Sequence, residues 1–357
     1  MRSVVFTILL LSVVTVSAQS GRVKPEATPT PKPMIGPSVR TIPSNESTTN
    51  SRPRTAPTPI SANDNGSDDD DVIKVDSTLV PIPVSVLDAN GRQISDLKVS
   101  DFILKINDIE VEIGDISRSE TPVRLAMLFD NSSSVLAARE FEINAAIKFF
   151  RRVLRPDRDM AALYTVSTVT RLEQPFTKNI SSLIRSIEFF PKPEGATALL
   201  EGLVMAARDI SITDGRRVIV IVSDGDDTKS DVTFEQTLKA IQIANTQVYV
   251  VQTTDFENYI RTKSRKGNAN IRQLAAERRM LELTRNTGGA VYSPIDEKEL
   301  DEAFRQISAE LAQQYVLNYY PEDTVVASGE MNKIEVVVRG RSDLTVRARK
   351  GYYVTKR

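Results

Sequence analysis

The stretch VRLAMLFDNSSSV, residues 123–135, decides how this chain is read. Residues 123–129 form an apolar run of strand length. The run halts on Asp130, and hydroxyls follow at alternate positions, Ser132 and Ser134. Asp and Ser are favoured helix caps, so taken alone the segment reads as the cap of the helix that follows.

The residues around it give the stretch a setting. Downstream, AAREFEINAAIKFFRRVL has helical spacing, with Leu136, Ile143, Ile147, Phe150 and Leu154 on one stripe. MAALYTVS (160–167) reads as the next strand and VTRLEQPF (169–176) as an edge strand. Helical patterns cover 180–190 and 198–210, and RRVIVIVSD (216–224) is a second apolar strand. A helix over 232–245 and the strand QVYVVQT (247–253) come next. The series ends with a helix over 270–286 stopped by Gly288-Gly289, the short strand AVYS, and a helix over 297–314. Strands alternating with helices predict an α/β fold, a doubly wound and mostly parallel sheet with helices on both faces.

In such a sheet ligands bind beyond the carboxyl ends of the strands, where strand order reverses. Asp130 and Asp224 each end a strand, and Thr197 lies in the loop EGAT before a helix. If Asp130, Ser132, Ser134, Thr197 and Asp224 converge, they form an all-oxygen cluster suited to a hard divalent cation, Mg, with Mn or Ca as alternatives.

Composition excludes other chemistries. The 357 residues contain no Cys and no His, which removes disulfides, thiolate metal sites, His-based zinc sites and Ser-His-Asp hydrolysis. Lys and Arg total 46 against 47 Asp and Glu, so no net field points to nucleic acid.

The chain ends carry separate signals. Residues 1–18 show Arg2, an apolar run from Val4 to Val14 and small residues at Ser17 and Ala18, the pattern of a cleaved signal peptide. Export to the periplasm or the exterior is expected, with no integral membrane segment after cleavage. Residues 19–71, rich in Pro, Thr, Ser and Asn, read as a disordered spacer whose acidic run 68–71 is a solvated charge cluster. From Val72, residues 72–120 read as a β segment with turns at Asn90-Gly91 and Asn107-Asp108. Ser95 and Lys98 match S-x-x-K by chance, because they follow a hairpin turn. Residues 121–313 would be the α/β domain, and 314–357 a second β segment, expected from segment order to pack with 72–120. The polar stretch DFENYIRTKSRKGNANIR (255–272) reads as a solvated loop, and Asp226 and Asp227 as the rim of the cluster.

Three segments, LAMLFDNSSSV, EGATALLEGL and RRVIVIVSDGDD, resemble the motif segments of a von Willebrand factor type A (VWA) domain, the module also known as the integrin I domain. The ordered part from about residue 72 is similar to the bacterial VWFA-related family described from Acidobacteria. There a short β segment like VSVLDANGRQISDLKVSDFILKIND precedes the domain, and a tail like LAQQYVLNYYPEDT and VRARKGYYV follows it. The resemblance implies a metal-ion-dependent adhesion site. In it, Ser132 and Ser134 ligate the cation directly and Asp130 mostly through water. Thr197 is a direct or water-mediated ligand and Asp224 an outer one. One position is left for a carboxylate supplied by a partner protein. Ser133 departs from the glycine common in the family. The expected function is a metal-dependent protein-binding module rather than an enzyme. The alternatives are a structural envelope protein with a stabilising metal and a Mg-dependent phosphoester hydrolase. Against the hydrolase, Ser132 stands where that chemistry places a second Asp.

Overall fold

The computed structural model describes residues 79–118, 121–264, 271–321 and 329–353. The expected leader, the spacer with its acidic run, and the start of order at Val72 lie outside the described residues.

Four strands come first: β1 (Val80–Leu87), β2 (Phe102–Ile106), β3 (Ile109–Val111) and β4 (Asp115–Arg118). Asn107 and Asp108, at φ 50° and 67°, form the tight turn between β2 and β3, and both side chains suit left-handed backbone. After Gly91 only the single bridge Leu87–Gln93 closes the expected first hairpin.

The central layer begins with β5 (Val123–Asp130), a 3-10 turn (Ser133–Ala137) and α1 (Arg139–Val153). It continues through β6 (Met160–Val166), β7 (Arg171–Thr177), α2 (Ile180–Glu188), α3 (Leu199–Ser211), β8 (Arg216–Ser223) and α4 (Phe234–Ile243). Then come β9 (Gln247–Gln252), α5 (Thr254–Thr262), α6 (Ile271–Thr287), β10 (Val291–Tyr292) and α7 (Glu297–Gln313). The sheet order is β10-β9-β8-β5-β6-β7, parallel except for β7, whose antiparallel pairing places it at an edge. Alternate residues of β5 divide between two cores. Leu125, Met127 and Phe129 face Phe149, Leu183, Phe256 and Phe304, whereas Ala126 and Leu128 face Leu203, Ile241 and Leu283. The fold is therefore the α/β class, with helices burying both faces of a mostly parallel sheet.

Two details differ from the sequence reading. Leu136 lies in the 3-10 turn and is 67% exposed, so it starts no helical stripe; α1 buries Ala145, Ala146, Phe149 and Phe150 instead. Residues 255–262, read as part of a solvated loop, lie in α5, whose Phe256 is fully buried in the core with Ile260 packed against it. Residues 265–270 of that stretch lie outside the described residues.

Four more strands follow: β11 (Tyr315–Tyr319), β12 (Met331–Val338), β13 (Thr345–Ala348) and β14 (Gly351–Tyr353). They pair with the first four in two sheets, β13-β1-β11-β4 and β14-β12-β2-β3. Ile82, Val84, Leu104, Ile106, Tyr315, Leu317 and Ile334 fill the core between them.

Candidate metal centre

Chain order in the central sheet reverses between β5 and β8, which lie side by side with Phe129 in register with Val222. The loops leaving both strands therefore meet at one crevice, the place such sheets offer a ligand. Asp130 closes β5 with its side chain 1% exposed. Its Oδ1 accepts from the Ser132 backbone N–H at 2.9 Å and its Oδ2 from Ser223 Oγ at 2.7 Å. Ser223 thus ties the two strand ends together. Burial raises the Asp130 pKa, against the lowering effect of Ser223, Ser132 and Arg139.

The serines do not cap. Ser132 precedes the 3-10 turn without accepting a hydrogen bond from it, and α1 starts after Ala138, which has no capping side chain. Ser132 Oγ instead meets Ser134 Oγ at 2.9 Å, so both hydroxyls converge beside the Asp130 carboxylate. Asp224 directly follows β8, and its Oδ1 accepts from Asp226 N at 2.9 Å. Burial first, and then the Asp130 charge, push its pKa up to about 6.

Thr197, 5% exposed, enters through its backbone. Its N–H donates to Thr228 Oγ1 at 3.0 Å, and its carbonyl accepts from Thr228 N and Lys229 N at 2.9 and 3.1 Å. Its loop is fastened to the serine loop by Glu194 N donating to the Asn131 carbonyl at 2.9 Å and Ser133 N donating to the Gly195 carbonyl at 3.3 Å. Gly195 has φ 79°, and a Cβ there would lie 2.3 Å from Thr168 Oγ1, so this close approach requires glycine. Hydrogen bonds therefore join Asp130, Ser132 and Ser134, Asp224 feels the Asp130 charge, and Thr197 is held by its loop. Asp226 pairs with Arg272 at 2.8 Å, and Asp227 Oδ1 accepts from Leu199 N at 2.9 Å, capping α3.

Four residues that the sequence reading passed over complete the surroundings: Ser223, Arg139, Glu142 and Glu257. Arg139 donates to the Asp130 carbonyl at 3.0 Å and to Asn131 Oδ1 at 2.5 Å, and lies over the rings of Phe129 and Phe190. Glu142 is 1% exposed, and neither carboxylate oxygen has a hydrogen-bond partner among the described residues. Burial, followed by the charges of Glu257 and Asp130, raises its pKa well above the usual range. Glu257 accepts from Thr253 Oγ1 at 2.6 Å, and burial pushes its pKa up to about 8. The available signal was helical spacing: Glu142 stands four and seven residues before buried Ala146 and Phe149, an acid on the core face of α1.

Arg139 acts on Asp130 and Glu142, Arg272 on Asp224 and Arg261 on Glu257, while burial favours the neutral form of all four acids. The donors are oxygens throughout, which suits Mg, Mn or Ca. Among the described residues no three acidic side chains gather closely enough to hold a cation alone. A cation here depends on the hydroxyls of Ser132, Ser134 and Thr197.

Residues 125–226 match the family profile described as von Willebrand factor type A domain. A search of curated proteins returned no match. Among solved structures, the chain is similar to the conserved hypothetical protein BatB from Bacteroides thetaiotaomicron at 16% identity and TM-score 0.42, covering 53% of this chain and 98% of that one. It is similar to an aerotolerance-related membrane protein from Bacteroides fragilis NCTC 9343 at 18% identity and TM-score 0.41, covering 52% and 98%. It also resembles the PilB minor pilin from Streptococcus sanguinis at 12% identity and TM-score 0.42, covering 54% and 62%. At these values the likenesses add nothing to the strand order already described.

Proposed function

We propose that the VWA region is an exported, metal-dependent protein-binding module whose centre is Asp130, Ser132, Ser134, Thr197 and Asp224. The observation carrying this reading is the pair of convergent hydroxyls, Ser132 and Ser134, which cap no helix and meet beside the buried Asp130 carboxyl at the end of β5. Ser132, Ser134 and Thr197 would hold the cation, with Asp130 and Asp224 balancing its charge from the second layer. The bound cation would act as a Lewis acid for a carboxylate supplied by a partner protein. Neutral hydroxyl ligands leave it more net positive charge than direct carboxylates would, which favours attraction of an acidic side chain over catalysis. A leader-like stretch at residues 1–18 supports export, and β segments on both sides of the VWA region support kinship with the bacterial VWFA-related group. No helix among the described residues is long and apolar enough to cross a membrane.

Calorimetric titration of Mg and Mn into the chelated protein tests the reading. Saturable binding is expected, and Asp130→Ala should weaken it at least tenfold, about 1.4 kcal/mol or more. Equal heats from the native protein and the variant would sink the proposal.

A further inference from the structure

At the amino edge of the central sheet, opposite the metal centre, the last turn of α1 and the loop after it gather cations. Arg151 and Arg152 are exposed on α1. Exposed Lys178, just before α2, donates from Nζ to the Asp157 carbonyl at 2.9 Å, and half-buried Arg124 of β5 donates from Nη1 to the Arg158 carbonyl at 2.9 Å. Those carbonyls orient the two side chains without neutralising them. Among the described residues none of the four cations forms an ion pair. Acids beside them are few: Asp159 is taken up by Arg155 at 2.8 Å, which leaves Asp157 as the exposed carboxylate of the loop between α1 and β6. Next to Arg124 in register stands Arg217 of β8, whose Nε donates to the Thr213 carbonyl at 3.0 Å. The loop so fastened turns Ile212 outward at 88% exposure, and its own charges cancel, Arg208 and Arg217 against Asp209 and Asp214.

We infer that this edge docks on a membrane surface rich in acidic phospholipids, with Arg124, Arg151, Arg152 and Lys178 meeting the phosphates and Ile212 entering the headgroup layer. The inference is independent of the metal reading. Charge complementarity selects the occupant, because four cations against one exposed carboxylate gain from every anionic headgroup within a Debye length, about 10 Å. Ile212 decides for lipid over a soluble polyanion, which offers it no apolar layer. The exposed aromatic residues that could stack on bases, Phe189 and Tyr320, lie elsewhere, at the end of α2 and beyond β11. Contact would be peripheral, since no helix among the described residues is long and apolar enough to cross a bilayer. β5, eight residues long, spans about 26 Å, so docking at its start would hold Asp130 and Ser132 about that far from the lipid and facing away from it.

The test uses the full chain with vesicles of phosphatidylcholine alone or mixed with phosphatidylglycerol, in chelator so that no metal takes part. The chain contains no Trp, so Ile212→Trp supplies a lone fluorophore at the proposed contact, and Ile271→Trp, at an equally exposed position on the opposite edge, is its control. Readouts are differences between variants of one chain, to which the apolar run Val4–Val14 contributes equally. Expected is co-sedimentation at least tenfold stronger with the phosphatidylglycerol vesicles, lost in high salt, together with a blue shift of the Ile212→Trp emission and none for Ile271→Trp. Arg151→Glu/Arg152→Glu should weaken that binding at least tenfold while keeping the native melting temperature. The emission readout stands without this variant if it fails to fold. Equal partition into both vesicle types overturns the inference, as does a blue shift of Ile271→Trp in place of Ile212→Trp. Capture by immobilised heparin that is lost in Arg151→Glu/Arg152→Glu, with neither emission moved by vesicles, would assign the edge to a soluble polyanion and overturn the proposed occupant.

Discussion

Glu257 sits in the first turn of α5 with its carboxyl 2.6 Å from the Thr253 hydroxyl, beneath a centre that already holds Asp130 and Asp224. Burial pushes its pKa from an ordinary 4.5 to about 8. Between those two values the folded chain binds more protons than the unfolded one, so stability falls as pH rises through the window and levels off above it. Each carboxyl titrating in this way contributes up to about 1.4 kcal/mol per pH unit. The metal-free protein should therefore melt at a lower temperature at pH 8 than at pH 6. Glu257→Gln should flatten that slope, as followed by thermal unfolding in chelator at closely spaced pH values. A melting temperature that climbs from pH 6 to pH 8 would show that Glu257 is ionised throughout. The sequence displayed only part of this chemistry. Asp130, Ser132, Ser134 and Asp224 stand at strand ends, where position alone draws notice. Glu142 and Glu257 lie inside helices, where acidic residues are ordinary, and only their spacing to buried neighbours sets them apart.

At the scale of elements, α7 shows how a helix can join two parts of a fold. Its last turn carries Glu310, 4% exposed, at the end where the helix dipole disfavours an anion. Four donors offset that cost: Ser85 Oγ of β1 at 2.5 Å, Tyr249 OH of β9 at 2.8 Å, Tyr292 OH of β10 at 3.3 Å and Arg347 Nη2 of β13 at 2.5 Å. Gln314 Nε2 also donates to Ser85 Oγ at 2.9 Å. Glu310→Ala would leave a largely buried guanidinium and two phenols without their acceptor, and should destabilise the fold by about 3 kcal/mol in denaturant unfolding. Thr233→Ala is the contrasting case. This exposed capping box at the start of α4 should cost only about 1 kcal/mol. The strands were legible because β5, β8 and β9 are almost wholly apolar, and a parallel sheet covered on both faces demands that pattern. The turn Ser133–Ala137 and the helix α5 were not. Leu136 mimics the first position of the α1 stripe, and nine residues with one fully buried aromatic give α5 too weak a period to separate it from a loop.

For the whole molecule the question is whether the β sandwich and the central layer unfold together. Glu310 is one link between them, and Arg349 is another. It is 7% exposed, donates to Asn245 Oδ1 at 2.5 Å and to the Pro81 carbonyl at 3.0 Å, and lies over the Tyr352 ring. Burial lowers its pKa to about 10, so its guanidinium remains charged at neutral pH and needs those acceptors. Beside it, Lys350 N donates to the Asn286 carbonyl at 2.9 Å, and the Gly288 Cα, at φ 82°, lies so near the backbone that a Cβ would be 2.6 Å from Arg349 N. Residues 121–313 produced alone would keep Glu310 but lose Ser85 and Arg347, exposing the apolar end of α7 and stranding a carboxylate against two tyrosines. Calorimetry of the whole chain should give one transition, with calorimetric and van't Hoff enthalpies agreeing, and the 121–313 fragment should melt well below it. Mg at a hundred times its dissociation constant should move the single peak as a unit, by about 2.7 kcal/mol of added stability. A second peak that ignores Mg would mean that the sandwich unfolds independently. The Glu310 and Arg349 contacts would then be too weak to bind it to the layer that holds the centre.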